Sequence, residues 1–202
     1  MMRMYAKKLT GVNQQEMKFF DNRKYNAEEY FDSFPETNRH FELREGRIIE
    51  FDSPSIIHQE IKGALLCAVY EYLKANSLPD ELLMLAFDVK LDEYNIVQPD
   101  ILIIRDLSKL DEHRCYGAPE WVIEILSDED SRDERRDDLI DKLTLYCKYG
   151  ACEYWIVDPK NEKTLVYFFE KSDFPNIYTF DTPVPVGIYG GELTLNIKEL
   201  IL

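Results

Sequence analysis

With 202 residues, 39 acidic side chains against 24 basic ones and a formal net charge of −15, the chain has the size of one domain with additions. The acidic excess argues against tight, nonspecific binding to a polyanion, which needs clustered Lys and Arg. No apolar run approaches the ~18 residues of a membrane span, and no continuous apolar segment follows the cations of MMRMYAKKLTGVNQQEMKFF, so neither a membrane nor a secreted protein is expected and the cytoplasm is.

Residues 1–24 show weak periodicity and read as an added N-terminal arm, with 25–202 as a single domain. NAEEYFDSF (Asn26 to Phe34) predicts a short helix capped by Asn26, with acids in the first turn where the helix dipole favours them. HFELREGRIIEF (His40 to Phe51) alternates about Glu45-Gly46, a hairpin signal. Ser53-Pro54 marks a helix start, and Ile57, Ile61, Leu65, Ala68 and Tyr72 carry a helical stripe over Ser55 to Ala75. Three strands are predicted next: Leu82 to Leu91, Val97 to Ile104 and Glu120 to Leu126. The last two are almost continuously apolar, as strands covered on both faces are.

The charged run SDEDSRDERRDDLIDKLTLYCKYG then turns helical, with Leu139, Leu143, Tyr146 and Tyr149 on one stripe and Gly150 as its C-terminal cap. Its Arg132, Arg135 and Arg136 are interleaved with acids, which reads as a solvated helix start. CEYWIVD (Cys152 to Asp158) is a buried strand ended by Pro159. KTLVYFFE, NIYTF and ELTLNI follow as β-rich additions, with Pro183 and Pro185 in a loop between the last two. The order helix, three strands, helix, strand predicts a mixed α/β sheet with helices packed on it. The cysteines, Cys67, Cys115, Cys147 and Cys152, have neither a metal spacing nor the density of a disulfide scaffold and are expected reduced and mostly buried.

Two of the apolar strands each carry one carboxylate, Asp100 in NIVQPDILII and Glu124 in WVIEILS. Burying an unpaired carboxylate costs several kcal/mol, so each needs a cationic partner, a turn to cap, or a metal. Adjacent strands would bring both onto one hard ion such as Mg²⁺, which one or two carboxylates often hold. Lys142 lies at the edge of the helical stripe; it would orient a water or neutralise a phosphate oxygen, or else pair with Asp138 on the surface. His58 reads as a general base, a metal ligand, a phosphate helper, or a core-edge residue bonded to backbone.

The stretches NAEEYFDSFPETNRHFELREGRIIEFDSPSIIHQEI, VQPDILII, APEWVIEILS and DLIDKLTLYCKYGACEYWIVDP, in this order, resemble the PD-(D/E)XK restriction-endonuclease-like superfamily and, within it, the Uma-type restriction endonuclease family. The resemblance implies an α/β (α+β) fold: a mixed central sheet flanked by helices (αβββαβ, about residues 53–159), with an extra N-terminal hairpin and C-terminal strands. It implies that Asp100 and Glu124 hold Mg²⁺ or Mn²⁺. The superfamily's Lys two residues after the acid is Leu126 here; Uma-type sequences place one in the following helix, which matches Lys142, and a His at the position of His58. The implied activity is metal-dependent endonucleolytic hydrolysis of phosphodiester bonds, with DNA the expected partner and a homodimer one way to build a groove despite the charge. The alternative is an inactive nuclease-fold module that binds a partner, with Tyr167, Phe168, Phe169, Tyr178 and Phe180 as a possible interface. An acid/base hydrolase without metal fits less well, because it leaves Lys142 no task.

Overall fold

The computed structural model describes residues 23–33, 40–51, 53–78, 81–85, 87–126, 132–172 and 174–201. The expected arm up to residue 22, Phe34, and the side chains of Arg132, Arg135, Arg136 and Asp138 lie outside the described residues.

Helix α1 (Ala27–Ser33) begins with a reciprocal cap: Asn26 Oδ1 accepts from Glu29 N at 2.9 Å, and Glu29 Oε2 accepts from Asn26 N at 3.0 Å. Strands β1 (His40–Arg44) and β2 (Arg47–Phe51) form the expected hairpin. Its turn residues Glu45 and Gly46 both have positive φ (47° and 79°), as a two-residue turn between twisted strands requires. Helix α2 (Ile56–Ala75) starts where Ser55 accepts the His58 N–H and buries Ile61, Leu65, Val69 and Leu73.

Next come β3 (Leu82–Leu85), β4 (Asp88–Lys90), β5 (Ile96–Val97), β6 (Ile101–Ile104), β7 (Arg114–Tyr116) and β8 (Trp121–Ile125). Helix α3 (Arg132–Lys148) and β9 (Glu153–Asp158) follow, then β10 (Lys163–Phe168), β11 (Asn176–Thr179), β12 (Val184–Pro185), β13 (Thr194–Leu195) and the short α4 (Ile197–Leu200). Gly150 (φ 86°) ends α3 as expected, with Ala151 N donating back to Tyr146 O.

The strands form a five-stranded sheet, β2-β1-β5-β4-β7, a six-stranded sheet, β11-β10-β9-β8-β6-β3, and the pair β12-β13. Strands β8 and β9 are parallel and joined through α3, whereas β6 and β8 are antiparallel. Two predicted strands are thereby corrected. Leu82 to Leu91 is β3 plus β4, and Val97 to Ile104 is β5 plus β6. One antiparallel register runs through both, Leu85 opposite Ile101 and Val89 opposite Val97, but the pair bends between the sheets. Pro99, which has no N–H to give to a ladder, sits at the bend. Strand β7, three residues long, was not expected; it pairs in parallel with β4.

Alternation explains the apolar strands. Ile101, Ile103, Trp121, Ile123, Trp155 and Val157 pack with the buried stripe of α2. Leu102, Ile104, Val122, Tyr154 and Ile156 pack on the other side with Leu145 and Tyr146 of α3. The C-terminal aromatics join these cores: Phe180 is buried, Phe168 and Tyr178 pack against the first, and Tyr167 and Phe169 against the second. Of Pro183 and Pro185, both expected in a loop, Pro185 instead joins Val184 in β12 and pairs with β13, where an edge position tolerates proline. The cysteines are free, but only Cys115 is buried; Cys67 and Cys147 lie on exposed helix faces, against expectation. Among the described residues no helix is long and apolar enough to cross a membrane.

Candidate active site

Asp100 sits at the bend, one residue before β6. The β6–β8 ladder ends at Ile101 opposite Ile123, and beyond it Asp100 takes its side-chain partners from α2 whereas Glu124 takes its from α3 on the other side of the sheet. Asp100 Oδ2 accepts from Ile125 N at 2.9 Å, a backbone N–H beyond the last ladder pair. The same oxygen lies 3.0 Å from His58 Nε2, and Oδ1 lies 3.0 Å from Lys62 Nζ. His58 and Lys62 are one turn apart on α2, so they share a face. Burial acts to raise the Asp100 carboxyl. The His58 hydrogen bond and charge, the Lys62 charge and the Ile125 N–H outweigh it and bring the group down to about 2. His58 Nδ1 is buried without a hydrogen-bond partner among the described residues.

Glu124 is buried in the middle of β8, facing α3. Its Oε1 takes Lys142 Nζ at 2.9 Å and the Tyr146 hydroxyl at 2.9 Å. Lys142 and Tyr146 are again one turn apart, and Lys142 is only 4% exposed. The ammonium is held from a second side by Glu42 Oε1 at 3.1 Å.

Glu42, in β1, is completely buried. It also accepts from Gln98 N at 3.0 Å and from Arg44 Nε at 2.8 Å, while Arg44 Nη2 forms a further close contact. Burial would raise the Glu42 carboxyl, but Arg44, Lys142 and His40 hold it well below the usual range. Burial pushes Glu124 up to about 7 against the pull of Lys142, with the negative charges of Asp100 and Glu42 adding to the rise. Tyr146 is held well above its ordinary value by burial and by Glu124.

The four residues expected from the sequence form two pairs, His58 on Asp100 and Lys142 on Glu124, which adjoin at β8, where Asp100 accepts from the N–H of Ile125, the residue after Glu124. The Lys142–Asp138 alternative falls on a side chain outside the described residues. Glu42, Arg44 and Lys62 join the four without a mark in the sequence motifs, and the helical stripe gives Tyr146 only a core position. Lys62 lies four residues after His58, a spacing that signals a shared face. Glu42 is in phase with the polar side of an alternating hairpin, so its burial left no trace in the pattern.

The donor set suits a hard cation. Among the described residues no group of three or more His, Cys, Asp or Glu side chains forms a metal-binding set, whereas two carboxylates fit an ion that keeps most of its waters.

A solved structure described as "a putative nuclease belonging to DUF820", from Anabaena variabilis ATCC 29413, is similar over 86% of this chain and 96% of that one, with 24% identity and a TM-score of 0.69. That likeness carries the fold. No curated protein matches the chain. A family model described as "Uma2: Putative restriction endonuclease" matches residues 27–182, most of the chain. On that match over the hairpin, both carboxylate strands and the lysine-bearing helix, the chain belongs to the Uma2 family.

Proposed function

We propose that this protein is a Mg²⁺- or Mn²⁺-dependent endonuclease that hydrolyses phosphodiester bonds of nucleic acid, with DNA as substrate. The observation that carries the reading is the buried Lys142 ammonium on Glu124, next to the Ile125 N–H that Asp100 accepts from. Asp100 and Glu124 would hold the cation, which when bound supplies an activated water and stabilises charge on the phosphate.

The chain's own residues do the rest. Lys142 offers a fixed ammonium to the attacking water or to a phosphate oxygen. Glu42 and Glu124 aim it from two sides, which a lysine reaching in from a helix needs if it replaces the strand lysine absent at Leu126. Tyr146 fixes the Glu124 carboxylate, and His58 with the Ile125 N–H fixes Asp100. Residues 25–202 act as one unit in this reading.

The second reading, an inactive nuclease-fold binding module, draws on the fully partnered Asp100 and the −15 charge. One assay separates the two. Single-stranded, double-stranded and branched DNA, and RNA, are incubated with Mg²⁺ or Mn²⁺ and the wild type, Glu124→Ala or Lys142→Ala. Metal-dependent cutting of DNA, lost in both variants, is the expected result. Bound metal without cutting of any substrate favours the binding module.

A further inference from the structure

We infer that Lys62 is a displaceable internal counterion: a divalent cation and the Lys62 ammonium compete for Asp100, and the ammonium released is left to take a phosphate oxygen of the substrate. The inference rests on the metal reading of Asp100.

Both oxygens of Asp100 are engaged, by three donors. The Ile125 N–H belongs to the backbone of β8 and cannot leave without unpairing it from β9, where Ile125 faces Val157. His58 is buried and its ring is held in the first turns of α2. Lys62 is different. Its ammonium ends a flexible four-carbon stem, its side chain is partly exposed, and it sits alone on Oδ1. An ion bound at about 2.1 Å from a carboxylate oxygen leaves no favourable place for an ammonium 3.0 Å from the same oxygen, because the two cations would repel at close range.

The charge balance gives the exchange a consequence. With the three carboxylates ionised and His40 and His58 neutral, Glu42, Asp100 and Glu124 are matched one for one by Arg44, Lys62 and Lys142, so without metal the site is formally neutral inside a protein of net charge −15. Adding a divalent ion makes the region positive and frees one cation at its partly exposed side. Attraction for a phosphodiester then arises only when the metal is in place. The acidic protein thus avoids binding nucleic acid it is not equipped to cut.

The test uses the full-length protein and Mn²⁺. In the wild type, the rate at which an amine-acylating reagent modifies Lys62, followed by mass spectrometry, should rise at least about threefold on saturation with Mn²⁺, while Lys109, paired with Glu120 away from the site, stays constant. Calorimetry should show Lys62→Met binding Mn²⁺ at least about fivefold more tightly than wild type. A fluorescent DNA duplex should bind wild type about tenfold more tightly with Mn²⁺ than without it, and Lys62→Met should lose most of that gain. Unchanged or reduced Lys62 labelling, or Mn²⁺ affinity no tighter in Lys62→Met, overturns the displacement. A duplex gain equal in both proteins, or absent in the wild type, overturns the phosphate role. Mn²⁺ binding lost in Asp100→Asn alongside an unresponsive Lys62 removes this inference alone. A wild type that takes up no Mn²⁺ removes both it and the metal reading beneath it.

Discussion

Lys142 and Glu42 meet across two sheets: an ammonium from α3 lies 3.1 Å from a carboxylate of the hairpin strand β1, and each side chain is almost entirely out of solvent. Breaking a buried pair from one side leaves a charge without compensation, which costs roughly 3–5 kcal/mol. Lys142→Met should therefore lower stability by that order in urea unfolding and abolish cutting. Lys142→Arg should not restore activity, because a planar fork cannot stand where a point charge is held by two carboxylates.

Glu42→Gln keeps the volume and removes one negative partner of Lys142 and Arg44. The expected cost is roughly 2–4 kcal/mol of stability. If Glu42 aims the lysine, kcat should fall by about 10²-fold with KM little changed. Loss of stability with full retention of kcat at low temperature would show that Glu42 serves the fold alone.

Stability of the metal-free protein should depend on pH in two opposite ways. Glu124 is raised in the folded protein from 4.5 to about 7, so its contribution is complete below the lower value and is lost as pH rises through that window. Asp100 is lowered from 3.8 to about 2, so its contribution is present above 3.8 and is lost as pH falls through that window. The thermal midpoint should thus decline between about pH 4.5 and pH 7, and Glu124→Gln should flatten that decline. Saturating Mg²⁺ should raise the midpoint on the alkaline side, where the carboxylate is ionised and ready for it.

Removing the Tyr146 hydroxyl takes away one of the two groups on Glu124 Oε1 while leaving the ring packed between Tyr154 and its neighbours. Tyr146→Phe should cost about 1–2 kcal/mol in stability and lower the cutting rate less than Lys142→Met does. Equal losses for the two variants in a single-turnover assay would contradict the division of labour proposed for them.

Gly187 offers a control away from the chemistry. A Cβ there would overlap the Phe168 ring. Gly187→Ala should lose about 1–3 kcal/mol of stability with Mn²⁺ affinity unchanged, measured by calorimetry below the unfolding transition.

Periodicity made α2, α3 and the buried strands legible, because those elements pack one face or both faces continuously. It also placed Asp100 and Glu124 on neighbouring strands. It did not reveal that two long predicted strands bend into separate sheets, although Pro99 was the signal: a residue without an N–H cannot sit inside a central ladder. Glu42 and Arg44 stayed hidden for a different reason. Alternation in a hairpin reads polar residues as facing water, whereas β1 has both faces covered and its polar face holds an ion-pair network. Lys62 was within reach of pattern alone, one turn beyond His58.

The bend at Gln98–Asp100 has a mechanical outcome. Gln98 ties its backbone N–H to Glu42 and its side-chain amide to Asp88, while two residues later Asp100 is bound to β8 and α2. One short tripeptide thus spans both carboxylate networks, so a disturbance in the hairpin can travel to Asp100 through covalent bonds. Variants selected for lost cutting should accordingly include substitutions along β1 and β2 that never touch the scissile phosphate.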